Sequence, residues 1–166
     1  MHEPDRTPHG LMMSSPIGVL WIASDGRCIT QLVFDPAEAL PSSPTPLLRE
    51  AERQLHAYFT GHLRSFELPL AGYGTPFQRS VWQAVAAIPW GATLSYRALA
   101  ERIGASTGAR AVGAANGANP LPILVPCHRV VGRSGELTGY VGGLGRKQWL
   151  LRHEGAIAAG LFDGPQ

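Results

Sequence analysis

The stretch Pro126-Cys127-His128-Arg129-Val130 places a thiol directly beside an imidazole, after the apolar run 123–125. A cysteine is a strong nucleophile only as its thiolate, and a neighbouring histidine can take the thiol proton. Further along the chain, Glu154 supplies a carboxylate that can orient the imidazole. The pattern predicts an activated cysteine at the end of a buried strand, in a Cys127–His128–Glu154 relay. A cysteine that serves only as a small apolar core residue is the alternative.

The composition is that of a globular protein, since 45% of the 166 residues are hydrophobic and 16% are charged. This length suits one ordinary domain or two small ones. The two cysteines, Cys28 and Cys127, lie far apart, which favours a reducing compartment over a disulfide framework. The sequence shows neither a signal-peptide pattern nor a membrane-spanning apolar run. We therefore expect a soluble, cytoplasmic protein without membrane contacts.

Charge is distributed unevenly along the chain, although the net charge is only +2. Residues 1–73 contain five basic and eight acidic residues, a net charge of −3, whereas residues 74–166 contain nine and four, a net charge of +5. A basic half indicates contact with a polyanion. We place a domain boundary between the two halves, in the linker 71–74.

The first half has the pattern of a small α/β unit without evident chemistry. Its predicted elements are a loose tail over 1–13, a hairpin of 16–23 and 28–34, a helix capped by Thr45 with Pro46 first, and a strand over 65–70. Cys28 is predicted to be a buried strand residue.

The second half begins with a capping box at Thr75-Pro76-Phe77-Gln78. The buried face predicted for the helix that follows consists of Phe77, Val81, Trp82, Val85 and Ile88. Next, Ser95 is predicted to cap a helix over 96–103, and a turn leads to a second helix over about 107–117. This pair resembles a helix-turn-helix, although an ordinary helical pair has the same spacing. The second helix has almost only small side chains, which suits close approach to a narrow groove or tight helix packing.

Several ordered motifs in this half resemble those of O6-alkylguanine-DNA alkyltransferases, and the resemblance is dense over residues 74–157. They are Phe77-Gln78 with Val81-Trp82, Ile88-Pro89-Trp90-Gly91, Ser95-Tyr96, Ala109-Arg110-Ala111-Val112-Gly113, Asn119-Pro120, Pro126-Cys127-His128-Arg129-Val130, Gly139-Tyr140 with Gly142-Gly143-Leu144, and Trp149-Leu150-Leu151 with His153-Glu154-Gly155. The resemblance implies an α+β chain. It would consist of a small N-terminal α/β, RNase H-like structural domain over 1–73 and a mainly helical DNA-binding and alkyl-transfer domain over 74–166, with a helix-turn-helix and a short β-element that carries the cysteine.

The resemblance also implies roles for individual residues. Cys127 would accept the alkyl group, His128 would take the thiol proton through a bridging water, and Glu154 would polarise that pair. Asn119 would brace the active-site turn, and Tyr96 would donate its hydroxyl proton toward N3 of the flipped guanine. Arg110 would fill the gap left in the base stack, and the other residues expected at the DNA are Ser95, Ala109, Ala111, Gly113 and Asn116. The expected substrate pocket comprises Val130, Tyr140, Val141, Pro122 and Trp149, with backbone groups of Cys127 and Val130 accepting from the guanine amine.

The implied function is direct reversal of DNA damage. Duplex DNA bearing O6-alkylguanine would be the partner, bound in the minor groove, and O4-alkylthymine a poorer substrate. The damaged base would be flipped out of the duplex for in-line attack by the thiolate. Because the thioether product is stable, each molecule would act once. No cofactor is expected, and no structural zinc, because Cys28 alone cannot form such a site. The protein is expected to be a monomer in solution, and cooperativity on DNA stays open.

Three other functions are compatible with parts of the sequence. A non-catalytic lesion-binding protein would flag alkyl damage for other repair, but such proteins typically lack the acceptor cysteine. A cysteine hydrolase would use Cys127, His128 and Glu154, yet nothing in the sequence marks an oxyanion hole. A helix-turn-helix transcription factor would need more base-contacting side chains than the second helix contains. The chain also departs from some alkyltransferases at Val141, where they have a small hydroxyl residue, and at Asn116 and Gly117, where they have larger residues.

Overall fold

The computed structural model describes residues 8–105 and 108–158, which divide into two compact units at the junction of Tyr73 and Gly74. The first unit contains β1 (His9–Ser15), β2 (Gly18–Ser24), β3 (Ile29–Phe34) and α1 (Pro46–Phe59). The second contains α2 (Pro76–Ala86), β4 (Leu94–Ser95), α3 (Tyr96–Arg102), α4 (Gly108–Gly117), a 3₁₀ helix (Cys127–Arg129), β5 (Val130–Val131) and α5 (Leu144–His153). This mixture of a small sheet unit and a helical unit confirms the predicted α+β class.

The first unit is built on an antiparallel sheet in the order β1-β2-β3, with α1 packed on β1 and β2. The predicted hairpin corresponds to β2 and β3, and Thr45 caps α1 as predicted, since its hydroxyl oxygen accepts a hydrogen bond from the Leu48 amide at 3.2 Å. The tail predicted over 1–13 is wrong from residue 9 onward, because those residues form most of β1. Leu11 and Met13 are buried while Met12 is exposed, which is the alternation of a half-buried strand.

Two further predictions for this unit need correction. The strand predicted over 65–70 is reduced to an isolated bridge between Ile29 and Leu70. Pro69 has no amide hydrogen, so only its carbonyl joins the sheet, by accepting from the Ile29 amide at 2.8 Å. Cys28 is half-buried rather than buried and lies just before β3 rather than in it.

The second unit starts with the predicted capping box. The Thr75 hydroxyl accepts from the Gln78 amide at 3.1 Å, and the Gln78 side chain accepts from the Thr75 amide at 3.0 Å. Val81, Trp82 and Val85 are buried along α2. Phe77 was predicted to belong to this face but is exposed, because it stands in the first turn, at the end of the buried stripe.

The predicted helical pair is α3 and α4. Ser95 caps α3 by accepting from the Ala98 amide at 3.0 Å, and Gly104 makes the turn with a φ of +67°. The predicted second helix is present from Gly108, and its expected first residue, Thr107, lies outside the described residues. α4 packs against α2 and α3, and the indole of Trp82 donates to the Ala115 carbonyl at 2.8 Å.

The segment before the cysteine is a turn and not the predicted strand. Ile123 has a φ of +71°, and the Val125 amide donates to the Leu121 carbonyl at 2.8 Å. Prolines at 120, 122 and 126 remove the amide donors that a strand ladder needs. Cys127 therefore lies on the 3₁₀ helix, and the strand comes after it: β5 pairs in parallel with β4. This pairing holds the segment after Cys127 beside the start of α3.

None of the helices within residues 8–105 and 108–158 is both long enough and apolar enough to cross a bilayer.

Removing the Thr75 hydroxyl by Thr75→Ala should lower the free energy of unfolding by about 1 kcal/mol, because the Gln78 amide loses its capping partner. Urea unfolding followed by far-ultraviolet circular dichroism measures the change. Ser80→Ala is the matched control, since it deletes a hydroxyl from the same helix that only donates to the Pro76 carbonyl. An equal loss of stability in both variants would contradict a specific capping role for Thr75.

Candidate active site

A cavity of about 400 Å³ opens onto Cys127 in the second unit. It is lined by Tyr96, Gly113, Asn116, Gly117, Cys127, Thr138, Gly139, Tyr140 and Val141. These residues come from α3, α4, the 3₁₀ helix and the loop before α5, so three helices and a loop converge on one thiol. The volume lies in the range of small-molecule sites, about 300–1,000 Å³.

Two asparagine side chains hold the turn that carries Cys127. Asn119 is buried, donates to the Val125 carbonyl at 2.9 Å and accepts from the Leu121 amide at 2.9 Å. Asn116 is also buried, and its amide nitrogen donates to the Cys127 carbonyl at 3.2 Å. These contacts add to the backbone hydrogen bonds that the Val125 and Cys127 carbonyls accept from the Cys127 and Val130 amides, so the turn is held on both sides.

A buried carboxylate connects His128 to the end of α5. His128 Nε2 lies 2.6 Å from Glu154 Oε1, and both side chains are inaccessible to solvent. Arg129 approaches the same carboxylate with Nε at 2.8 Å from Oε2 and Nη2 at 2.9 Å from Oε1, and its Nη1 donates to the Ile88 carbonyl at 2.6 Å. Such a fork-shaped contact fixes the carboxylate plane and balances its charge.

The charge states follow from this geometry. Burial would by itself raise the pKa of Glu154, but the hydrogen bonds from His128 and Arg129 outweigh it and lower the pKa to about 2. Burial lowers the pKa of His128, and the attraction of Glu154 only partly opposes this. Near neutral pH the pair is therefore a carboxylate and a neutral imidazole.

The tautomer of His128 follows in turn. A carboxylate can only accept, so Nε2 carries the proton and Nδ1 keeps its lone pair. Nδ1 is buried and has no hydrogen-bond partner within residues 8–105 and 108–158. The ring also lies edge to face with that of Tyr140, at 6.4 Å between centroids, next to the cavity. The imidazole is thus oriented as a base with a free acceptor nitrogen.

The thiol of Cys127 is protonated near neutral pH. Burial raises its pKa to about 11, while a hydrogen bond from Asn119 and the positive charge of Lys147 partly counteract the rise. Only about one molecule in ten thousand would hold a thiolate near neutral pH. Cys127 therefore needs a base at the moment of attack.

Lys147 is a site residue that the sequence analysis missed. It is fully buried, and its ammonium donates to the carbonyls of Thr138 at 2.8 Å and Gly139 at 3.3 Å, which line the cavity. The nitrogen lies 5.9 Å from the centroid of the Tyr96 ring, and burial lowers its pKa to about 8. Its only sequence signal was its rarity, because it is the single lysine among 14 basic residues.

Comparison with known proteins decides the family. The sequence model described as "6-O-methylguanine DNA methyltransferase, DNA binding domain" matches residues 76–156, and that of the ribonuclease-like domain of the same proteins matches residues 10–71. The methylated-DNA–protein-cysteine methyltransferase of Mycobacterium leprae is 45% identical over 163 residues, which cover 93% of this chain and 99% of the relative. The chain belongs to the 6-O-methylguanine DNA methyltransferase family.

Other members of this methyltransferase family agree with the assignment. The methylated-DNA–protein-cysteine methyltransferase of Salmonella typhimurium is 60% identical over 105 residues, 63% of this chain and 61% of the relative. A crystal structure of Mycobacterium tuberculosis OGT in complex with DNA has a TM-score of 0.81 and 47% identity, and the match covers 89% of this chain and 93% of that one. The resemblance noted from the sequence motifs is thereby confirmed.

The structure brings only part of the residues predicted from the methyltransferase motifs to the cavity. Cys127, Tyr96, Tyr140 and Val141 line it, and Val141 is more than half exposed, at its rim. The Tyr96 hydroxyl lies 3.3 Å from the Thr138 carbonyl. His128, Asn119 and Glu154 stand behind the cavity as the supports described above.

Three residues predicted for the pocket do not line this cavity in the described part of the chain. Trp149 instead stacks on His153, with 4.8 Å between the ring centroids. Pro122 is buried within the turn that precedes the cysteine. Val130 is buried in the pairing with Leu94. Its backbone role toward a bound base stays a prediction.

The residues predicted to contact DNA are divided between surface and interior. Arg110 and Ala109 are exposed at the start of α4, whereas Ser95, Ala111 and Gly113 are half-buried. Asn116 was predicted to be at the DNA face, but it is buried in the cavity, because its amide is held by the Cys127 carbonyl. Within residues 8–105 and 108–158, no group of three or more histidine, cysteine, aspartate or glutamate side chains could hold a metal ion.

The reaction of Cys127 with a small thiol reagent such as methyl methanethiosulfonate should be slow near neutral pH in the DNA-free protein. Because only the thiolate reacts and the pKa is about 11, the rate should rise about tenfold per pH unit between about pH 6 and pH 10. Mass spectrometry of the labelled peptide measures it. Cys127→Ala, which keeps Cys28, gives the background rate. A rate that levels off below about pH 9 would contradict a thiol held protonated by burial.

Proposed function

We propose that this protein repairs O6-alkylguanine in duplex DNA by transferring the alkyl group to Cys127. The observation that carries the proposal is the cavity itself: in a chain of this family, the buried thiol of Cys127 faces a space of about 400 Å³, with an oriented histidine behind it. Relatives named methylated-DNA–protein-cysteine methyltransferases support the proposed reaction.

The transfer step is a displacement at carbon. The Cys127 sulfur forms a bond to the alkyl carbon as the bond between that carbon and O6 breaks, and the bonding electrons go to the guanine. The thiol proton passes through a bridging water to Nδ1 of His128, the nitrogen that the tautomer leaves as an acceptor. Glu154, held ionised by Arg129, stabilises the imidazolium that forms.

The leaving guanine anion needs a proton or a hydrogen bond as its charge develops. The Tyr96 hydroxyl lines the cavity and can donate to N3 of the base, and the Lys147 ammonium lies close behind the Tyr96 ring. Tyr96 gives its proton to N3, and the proton held by His128 returns to the resulting phenolate through solvent. The net products are neutral guanine and an S-alkyl cysteine. A thioether is stable toward water, so the proposed reaction ends after one turnover per molecule.

DNA is the proposed partner, and the damaged base must leave the duplex to reach Cys127. Exposed Arg110, at the start of the small-residue helix α4, is placed to contact DNA and to occupy the gap in the stack. Base flipping costs a few kcal/mol, and least for damaged pairs. The DNA-bound structure of the Mycobacterium tuberculosis relative supports this partner. We further propose that the protein is a cytoplasmic monomer.

The alternative of a non-catalytic lesion-binding protein is not favoured, because the acceptor cysteine is present and the groups that could activate it are in place. A cysteine hydrolase is also disfavoured, since the catalytic cysteines of such enzymes have lowered pKa values, whereas burial raises the pKa of Cys127 to about 11.

Mixing the protein with duplex DNA that carries one O6-methylguanine should add one methyl group to the peptide containing Cys127, and the reaction should be complete at one equivalent. Intact-protein mass and peptide mapping measure it. Cys127→Ala should gain no methyl group yet still bind the methylated duplex. Tight binding by the unaltered protein without any mass gain would overturn the transfer proposal in favour of lesion binding.

Arg110→Ala should slow methyl transfer from duplex DNA by about one to two orders of magnitude, because flipping loses the side chain that stabilises the open stack. Single-turnover kinetics measure the rate, and reaction with the small thiol reagent should be unchanged. Arg133→Ala, which removes a positive charge from an exposed turn of the same unit, is the matched control. Equal rates for Arg110→Ala and the unaltered protein on duplex DNA would contradict this role.

A further inference from the structure

Asn116 is an almost completely buried amide in the wall of the cavity. It is 5% exposed and lines the space together with Cys127 and Tyr96. The preceding residue on α4, Ala115, accepts a hydrogen bond from the Trp82 indole through its carbonyl. This contact fixes α4 against α2 at this point. The Asn116 side chain is held in place by its own hydrogen bond to the Cys127 carbonyl.

The orientation of the Asn116 amide is set by a neighbour that can only accept. Its nitrogen donates to the Cys127 carbonyl at 3.2 Å. Rotating the amide by a half turn would place Oδ1 against that carbonyl oxygen, and two acceptors repel each other. Oδ1 therefore points away from the Cys127 backbone.

Within the described ranges 8–105 and 108–158, Asn116 Oδ1 is buried and has no hydrogen-bond partner. A buried acceptor without a donor is destabilising and calls for an explanation. Two donors beside the cavity are directed elsewhere, since the Tyr96 hydroxyl and the Lys147 ammonium both contact the Thr138 carbonyl. The oxygen thus lacks a donor in the described part of the chain, and a molecule bound in the cavity that Asn116 lines can supply one.

The chemistry of an alkylated base limits which donor this can be. Alkylation at O6 of guanine leaves N1 without a proton, so the exocyclic 2-amino group is the only N–H donor of the base. O4-alkylthymine has no proton on N3 and no exocyclic amine, so its base has no N–H donor at all.

We infer that Asn116 Oδ1 accepts a hydrogen bond from the 2-amino group of the flipped O6-alkylguanine and is a specificity-determining residue that favours alkylated guanine over alkylated thymine. The inference rests on the proposed function and identifies its base preference. The amine has two hydrogens and gives one of them to Oδ1; the Cys127 carbonyl is already occupied, since it accepts from the Asn116 side chain and from the Val130 amide. One side chain thus connects the recognised edge of the base to the backbone of the nucleophile.

A cycle of two changes tests this role, one in the protein and one in the base. The protein change is Asn116→Leu, which keeps the shape of the side chain and removes both polar atoms. The base change replaces O6-methylguanine by O6-methylhypoxanthine, which lacks only the 2-amino group. Single-turnover transfer rates are measured for all four combinations in the same duplex sequence.

The unaltered protein should react with O6-methylguanine on the order of fivefold faster than with O6-methylhypoxanthine, as expected for one neutral hydrogen bond. Asn116→Leu should remove most of this preference. A residue that only braces the Cys127 turn would slow both substrates by the same factor and leave the preference intact. Gln83→Leu, an amide deletion at an exposed position of α2, is the control and should keep the preference of the unaltered protein.

Two outcomes would overturn the inference. The first is that the unaltered protein reacts with both bases at equal rates. This comparison uses no variant, so it remains decisive even where Asn116→Leu fails to fold. The other is a preference that survives in folded Asn116→Leu or, should that variant not fold, in Asn116→Ala. Absence of any methyl transfer by the unaltered protein would instead contradict the proposed function, so the two failures are distinguishable.

Discussion

The charge on Glu154 is the constraint on which the rest of the candidate site depends. A carboxylate that is inaccessible to solvent stays ionised only because Arg129 and His128 hydrogen-bond to it. That charge in turn decides the tautomer of His128 and so leaves Nδ1 as a base. Because Arg129 also binds the Ile88 carbonyl, the segment just after α2, the 3₁₀ helix and the end of α5 are joined at one point. Loss of the carboxylate would leave a buried guanidinium without its counter-charge.

Structural features formed by residues close together in the chain, such as helix caps, could be predicted from the sequence. The caps at Thr45 and Thr75 follow from side chains that reach amides three residues ahead, and both are present. Cys127, His128 and Glu154 were recognised as a set by their motifs, although nothing in their spacing shows that Arg129 would share the carboxylate. Arg129 entered the motif only as a neighbour of His128 in sequence, whereas its partners, Glu154 and Ile88, lie 25 and 41 residues away.

Other features depend on contacts that spacing does not encode. The strand β1 was missed because its alternation is short and begins beside an uninformative tail. The apolar run before Cys127 was interpreted as a strand because hydrophobic periodicity considers only side chains. It ignores the backbone amide hydrogens that the prolines around this run lack. Asn116 was assigned to the DNA face through the family resemblance, and its burial depends on a carbonyl 11 residues away. Lys147 was overlooked for the same reason, because its partners are backbone oxygens of a loop.

The burial of Cys127 also has a consequence for how long the protein stays usable. Oxidation to sulfenic acid, like alkylation, proceeds through the thiolate and requires access to sulfur. A side chain that is 3% exposed, with a pKa of about 11, is protected on both counts. Cys28, half-buried in the other unit, lacks this shielding from solvent. For a protein whose nucleophile is proposed to react only once, the same burial that slows the resting thiol preserves it unmodified until a damaged base arrives.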